Sequence, residues 1–144
     1  MDLLTKEKRS WNMSRIRGKD TRPEKKMRSL LHCKGYRFRL SDKALPGRPD
    51  IVLTKYRAVI FVHGCFWHRH PDCQYAYIPK SRVDFWKEKF AQNVKRDKEN
   101  LLLLQKSAWL PIVPWECEIK KNAVDVLNRV SQILQQQMTI WEVA

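Results

Sequence analysis

Three of the four histidines and two of the four cysteines in this chain fall inside one stretch, Val62-His63-Gly64-Cys65-Phe66-Trp67-His68-Arg69-His70-Pro71-Asp72-Cys73. Within it, Cys65, His70 and Cys73 have the spacing C-x4-H-x2-C, and Cys117 ends a later apolar run. Thiolates and imidazoles are the donors zinc favours, and four of them close a tetrahedral structural site. Its binding free energy, on the order of 10 kcal/mol, would hold a loop that has too few apolar contacts to fold alone.

His63 and His68 stay outside that set. Asp50 opens the apolar run Ile51-Val52-Leu53, and His63 closes the run Ala58-Val59-Ile60-Phe61-Val62. If Thr54-Lys55-Tyr56-Arg57 turns a hairpin between them, Asp50 and His63 meet in space. A carboxylate suits Mg²⁺, a hard cation that prefers oxygen ligands. A neutral imidazole can take a proton from an attacking water, worth roughly 10² to 10⁴ in rate. The metal offsets charge on a phosphate. The combination points to phosphodiester hydrolysis. Phe66 and Trp67 could be core anchors. On a metal-pinned loop they could also wedge between base pairs, which costs a few kcal/mol per step and less where the DNA is mispaired. Trp86 is a third candidate for that wedge.

The charge balance supports a nucleic-acid partner. Against 15 Asp and Glu stand 29 Lys and Arg, a formal charge of +14. Such a chain repels itself and favours an anionic partner, and each phosphate it neutralises releases counterions. The basic residues are spread out rather than gathered on one amphipathic segment, which disfavours a membrane surface. No apolar run approaches the roughly 20 residues of a membrane span, and the N-terminus lacks a signal-peptide pattern. A soluble, cytoplasmic protein is expected, where cysteines serve more often as metal ligands or buried thiols than in disulfides. The 144 residues suit one domain over 1–144. Residues 1–20 form a basic arm, with Trp11 and Met13 isolated among cations, suited to ordering on DNA.

Elements must position these groups. Thr21 reads as a helix N-cap, with Pro23 in the first turn and Glu24 closing a capping box. Met27, Leu30 and Leu31 give that helix an apolar face, and Gly35 stops it. Cys33 is expected to be a buried or half-buried thiol and His32 a surface residue. Tyr36–Leu40 alternates like a half-buried strand, and Leu45–Pro49 is a turn cluster. Ala58–Val62 suits a central strand covered on both faces. A long helix is predicted over Ser81–Ser107, with Trp86, Lys89, Phe90, Asn93 and Asp97 on one face and Leu101 and Leu104 continuing it. Ala108–Trp115 reads as a strand interrupted by Pro111, and Ile119–Gln137 as a last helix. The pattern is an α/β protein.

Taken together, Leu45-Pro46-Gly47-Arg48-Pro49-Asp50, Val59–His68, Phe85-Trp86, Asn93–Asp97 and Trp115-Glu116-Cys117 resemble the very short patch repair (Vsr) DNA mismatch endonucleases. The match runs from about Ser10 to about Lys120, in the same order. The resemblance implies a restriction-endonuclease-like core, a mixed central sheet flanked by helices with a structural zinc site. It implies Mg²⁺-dependent nicking beside the thymine of a T·G mismatch, the product of 5-methylcytosine deamination. Asp50 would hold Mg²⁺, and His68 would act near the attacking or leaving group. His63 would be the general base, with Glu24 and Asp97 acting through metal-bound water. Phe66, Trp67 and Trp86 would form the wedge, and Met13, Lys89 and Asn93 would lie at the mismatched pair. Cys65, His70, Cys73 and Cys117 would bind Zn²⁺. Val62 stands where the family often has Thr, a change that a backbone-carbonyl ligand to Mg²⁺ survives and a hydroxyl ligand does not. The loop over 70–73 is one residue longer than the familiar form.

The expected partner is double-stranded DNA with a T·G mismatch, bound by a monomer away from any membrane, with mismatch-repair proteins as further candidates. Two other functions fit the residues: a non-catalytic zinc-stabilised DNA-binding module, and a restriction-type nuclease cutting both strands.

Overall fold

The computed structural model describes residues 21–143, with side chains to residue 138. The basic arm and Met13 lie outside the described residues. Three helices, α1 (Arg22–Cys33), α2 (Val83–Lys106) and α3 (Glu116–Val143), accompany four short strands, β1 (Arg39–Leu40), β2 (Ile51–Leu53), β3 (Ala58–Ile60) and β4 (Leu110–Ile112). The strands form one mixed sheet in the order β1-β2-β3-β4, antiparallel except for the parallel pair β3–β4. The strand expected over Tyr36–Leu40 shrinks to two residues. Tyr36 turns inward instead, its hydroxyl 2.7 Å from Ser131 Oγ and accepting from Gln135 Nε2.

Alternation along β2 and β3 divides the core into two layers, as the two-residue period requires. Ile51, Leu53, Ala58 and Ile60 pack against Met27 and Leu31 of α1 and Val126, Val130 and Leu134 of α3. Val52, Val59 and Phe61 face the other way, onto Leu104 and Leu101 of α2. The β2–β3 hairpin is thus covered on both faces, as its unbroken apolar runs predict. Ladder pairing in β3 ends at Ile60, before the expected Val62. Phe61 N–H still donates to Ile112 O and His63 N–H to Pro114 O, so the chain stays beside the segment that follows β4.

Local signals fix the helix ends. Thr21 Oγ1 accepts from Glu24 N–H at 3.4 Å. At the far end, Gly35 adopts φ +102°. Its N–H bonds to His32 O while Tyr36 N–H bonds to Leu31 O, a Schellman closure that a side chain at Gly35 would strain. Cys33, expected to be at least half buried, is exposed, because it falls on the outer face while Met27 and Leu31 point inward. The α3 helix begins three residues before the predicted Ile119 and breaks at Asn122 (φ −159°, ψ 86°). Asn122 Oδ1 accepts from Asp125 N–H at 3.1 Å, so the break is a fresh N-cap. Pro111 sits inside β4 without disrupting the sheet. That strand is an edge, and its inward bonds are made by Leu110 N–H, which donates to Arg57 O, and by Ile112 O.

Met27 and Leu31 hold α1, and with it Glu24, against the sheet, and both are fully buried. Leu31→Ala should cost about 2–5 kcal/mol of stability. The check is a fall in the urea unfolding midpoint at unchanged slope.

Candidate active site and metal centre

Hairpin register builds the first site. Ile51 pairs with Ile60, so Asp50 lies beside Phe61 and Val62. Asp50 N–H donates to Ile60 O at 3.0 Å, and the Asp50 carboxylate accepts from Val62 N–H at 2.7 Å. His63 follows directly. A cavity of about 250 Å³ opens there, and its walls include Glu24 from α1, Asp97 from α2, and Asp50, Val62, His63 and His68. All five residues expected to be catalytic therefore share one pocket, across three separate elements. The Glu24 carboxylate, which local spacing alone reads as closing a cap, is buried and pairs with Arg28 at 3.3 Å.

The environment divides the titratable groups. Burial, then the negative charge of Glu24, pushes Asp50 up to about 7, against the pull of the Val62 N–H. Two carboxylates facing one cavity suit a cation, which would relieve both terms. Burial, then the neighbouring His68, lowers His63 to about 4, with Asp97 opposing. His63 is therefore a neutral imidazole at pH 7. His68 Nδ1–H donates to Asp97 Oδ2 at 2.6 Å, which fixes its ring and leaves Nε2 for other work. The two imidazoles stack at 3.9 Å between centroids and 5° between planes. Donor atoms of His63, His68 and Asp97 lie within 4.8 Å of one another. A ring nitrogen binds metal in its own plane, so near-parallel stacked rings do not converge on a shared ion. Each ring can still exchange a proton within its own plane, and the carboxylate oxygens at Asp50 suit the cation.

The second site is the Cys65, His70, Cys73 and Cys117 cluster, whose donor atoms lie within 4.8 Å of one another. His70 Nδ1 is 3.6 Å from Cys65 Sγ and 3.4 Å from Cys117 Sγ, and the sulfurs of Cys73 and Cys117 are 4.0 Å apart. Tetrahedral edges built on the usual metal–sulfur and metal–nitrogen lengths are about 3.5 and 3.8 Å, so the four donors can hold one metal ion. The longer loop does not displace His70 from the cluster. Burial pushes the Cys65 thiol up to about 12, a penalty on the thiolate that a bound cation would reverse.

Aromatic rings cover the same loop. Phe66 meets Trp67 (5.0 Å), Phe90 (5.1 Å), Tyr77 (5.1 Å) and Trp86 (5.6 Å). Phe90 is buried, while Phe66, Trp67 and Trp86 remain half-buried. They are anchored at one side and open at the other. Asn93 is buried beneath them, its Nδ2 donating to Trp67 O at 3.1 Å and its Oδ1 accepting from Arg96. Lys89, on the same helix, is exposed.

Sequence reasoning overlooked several neighbours. Arg48 and Asn100 also line the pocket. The positive φ of Arg48 (51°) is a conformation the sequence does not announce. Trp115 stacks on His70 (4.3 Å, 11°) and meets His63 edge-on (5.3 Å), forming a wall common to both sites. Its place beside Glu116-Cys117 was the available signal. Arg69 passes unnoticed in a basic chain, although it lies between two histidines of the candidate sites.

The family model described as DNA mismatch endonuclease Vsr matches residues 1–75. The chain is 47% identical over 131 residues to the type II nicking enzyme V.NmeAIP of Neisseria meningitidis serogroup A, covering 90% of this chain and 93% of that one. It is 50% identical over 118 residues to the type II nicking enzyme V.XorIIP of Xanthomonas oryzae pv. oryzae, covering 82% and 86%. It is 45% identical over 119 residues to the DNA mismatch endonuclease Vsr of Escherichia coli K12, covering 83% and 76%. The chain belongs to the Vsr DNA mismatch endonuclease family and is a DNA endonuclease, a hydrolase of phosphodiester bonds.

Proposed function

We propose that this endonuclease nicks the thymine strand beside a T·G mismatch, and that magnesium serves its catalysis and zinc its structure. The observation that carries the reading is the convergence of Asp50, His63, His68 and Asp97 in one cavity, beside half-exposed aromatics on a metal-capable loop. The mixed sheet with helices over both faces suits a restriction-endonuclease-like core.

The Asp50 carboxylate and the Val62 backbone carbonyl would hold Mg²⁺, with Glu24 adding negative charge to the same cavity; the ion supplies charge stabilisation on the phosphate. A carbonyl ligand makes Val in place of Thr harmless. His63, held neutral by burial, takes the proton of the attacking water. His68, oriented by Asp97, presents Nε2 to the leaving oxygen. Phe66, Trp67 and Trp86 enter the base stack, where a mispair lowers the cost of opening. Lys89 meets the mismatched pair, with Asn93 holding Trp67 beside it and Met13 contributed by the arm. The partner is double-stranded DNA, bound by one copy of the chain, with mismatch-repair proteins acting on the nick. The whole chain, 1–144, works as one domain.

Labelled duplexes, matched and T·G-mismatched in varied flanks, test the reading directly. With Mg²⁺, the thymine strand of mismatched duplex alone should be cut, and Asp50→Ala should lose at least about 10²-fold in rate, as loss of several kcal/mol of metal-borne charge stabilisation implies. Cutting of both strands in matched DNA would refute it.

His63 should titrate near pH 4 rather than 6.5, followed by its imidazole NMR shifts without added metal. The sign follows from burial of a neutral ring. Its contribution to stability is full above 6.5 and is lost as pH falls through about 4.

Metal analysis should find one zinc per chain. A strong chelator should lower the melting temperature and release the loop over 64–78, seen as lost protection from hydrogen exchange.

A further inference from the structure

Arg69 has a set of contacts that neither metal binding nor proton transfer explains. It adopts φ +57°, a left-handed conformation that a non-glycine residue keeps only when its surroundings hold it. Its Nη1 donates to Phe66 O at 3.1 Å and to Tyr77 O at 3.0 Å, and its Nη2 donates to Ala76 O at 2.6 Å. The guanidinium lies 3.9 Å from the centroid of the Phe90 ring and 5.8 Å from that of Phe66. One cation thus joins the start of the aromatic loop, its return segment at 76–77, and α2.

Few other bonds define this region. The backbone bonds across the loop run from His68 N–H to Gly64 O, from His70 N–H to Cys65 O and from Ala76 N–H to Cys73 O. None of them ties the Phe66 turn to the 76–77 segment. Among the described residues the hydrogen bonds that join these two segments come from Arg69, beside the contact of the Phe66 and Tyr77 rings. A planar guanidinium can stack on a ring and donate in its own plane to several carbonyls at once. An ammonium has the charge but neither the plane nor the fork.

We propose that Arg69 is the positioning residue of the aromatic wedge. It clamps the Phe66, Ala76 and Tyr77 carbonyls over the Phe90 ring and so sets the angle at which Phe66 and Trp67 enter the base stack. This rests on the wedge assigned above. In catalysis Arg69 touches neither the phosphate nor the attacking water; it acts through the rings. An aromatic side chain that must enter a gap between base pairs loses effect when it can swing, because misplacement by about 1 Å can cost on the order of 10²-fold in rate.

The test uses the full chain as wild type, Arg69→Ala and Arg69→Lys, on T·G duplexes carrying 2-aminopurine beside the mismatch. Wild type should raise the 2-aminopurine fluorescence on binding, because the step unstacks. Both variants should lose most of that rise and nick on the order of 10²-fold more slowly. Their zinc content should be unchanged. On a duplex already opened by a second mispair beside the T·G, both variants should return to nearly the wild-type rate. A variant that keeps full fluorescence and full rate overturns the clamp, and so does an equal loss on closed and pre-opened duplexes. Wild-type binding without any rise in fluorescence would remove the wedge itself, and the clamp with it.

Discussion

The bond from Val62 N–H to the Asp50 carboxylate is the constraint from which the site is built. It joins the start of one strand to the end of the next, at the open end of a hairpin whose tip is fixed by Arg57 in a left-handed conformation. Because the register sets Ile51 against Ile60, this carboxylate can only lie where His63 leaves the sheet. Helix α1 then brings Glu24 from one face and α2 brings Asp97 from the other. Displacing either helix would carry one of these carboxylates away from the cavity, so the two core layers on the sheet hold the candidate site together.

A second dependence runs through the loop. Its backbone takes positive φ at Arg69 and Asp72, and its apolar contacts are mostly aromatic rings that are themselves half-open. Such a segment needs local fasteners. The four clustered donors could fasten one end through a shared metal ion, Asn93 holds the Trp67 carbonyl, and the Asp97 carboxylate fixes His68. The half-buried rings of Phe66 and Trp67 thus sit on a segment held at several points along its length.

Much of this was legible in the sequence because the relevant rules are local. Unbroken apolar runs over 51–53 and 58–62 specified a hairpin, and the hairpin specified that Asp50 meets His63. Helical spacing placed Phe90, Asn93 and Asp97 on one face. Composition and spacing gathered the metal donors, and family motifs assigned their chemistry. What stayed hidden depends on backbone conformation or on long-range packing. Cys33, by contrast, was placeable from spacing alone, since it lies about 200° round α1 from the buried Leu31 and so faces outward. Asn122 breaks α3 by serving as a cap, and an Asn inside a helical pattern carries no sign of that. Trp115 touches both sites only because β4 runs parallel to β3, a pairing that no short pattern encodes.

The placement of Pro111 reaches further than the strand containing it. An exposed sheet edge offers unpaired donors and acceptors on which another chain can add a strand, the first step toward aggregation. Here the middle residue of the β4 edge has no N–H to offer. The opposite edge, β1, is two residues long and carries Arg39. Both margins of the sheet are therefore poor templates. A strongly basic chain that gathers at high local density along a polyanion has particular use for that protection, since DNA would otherwise neutralise the charge that keeps its copies apart.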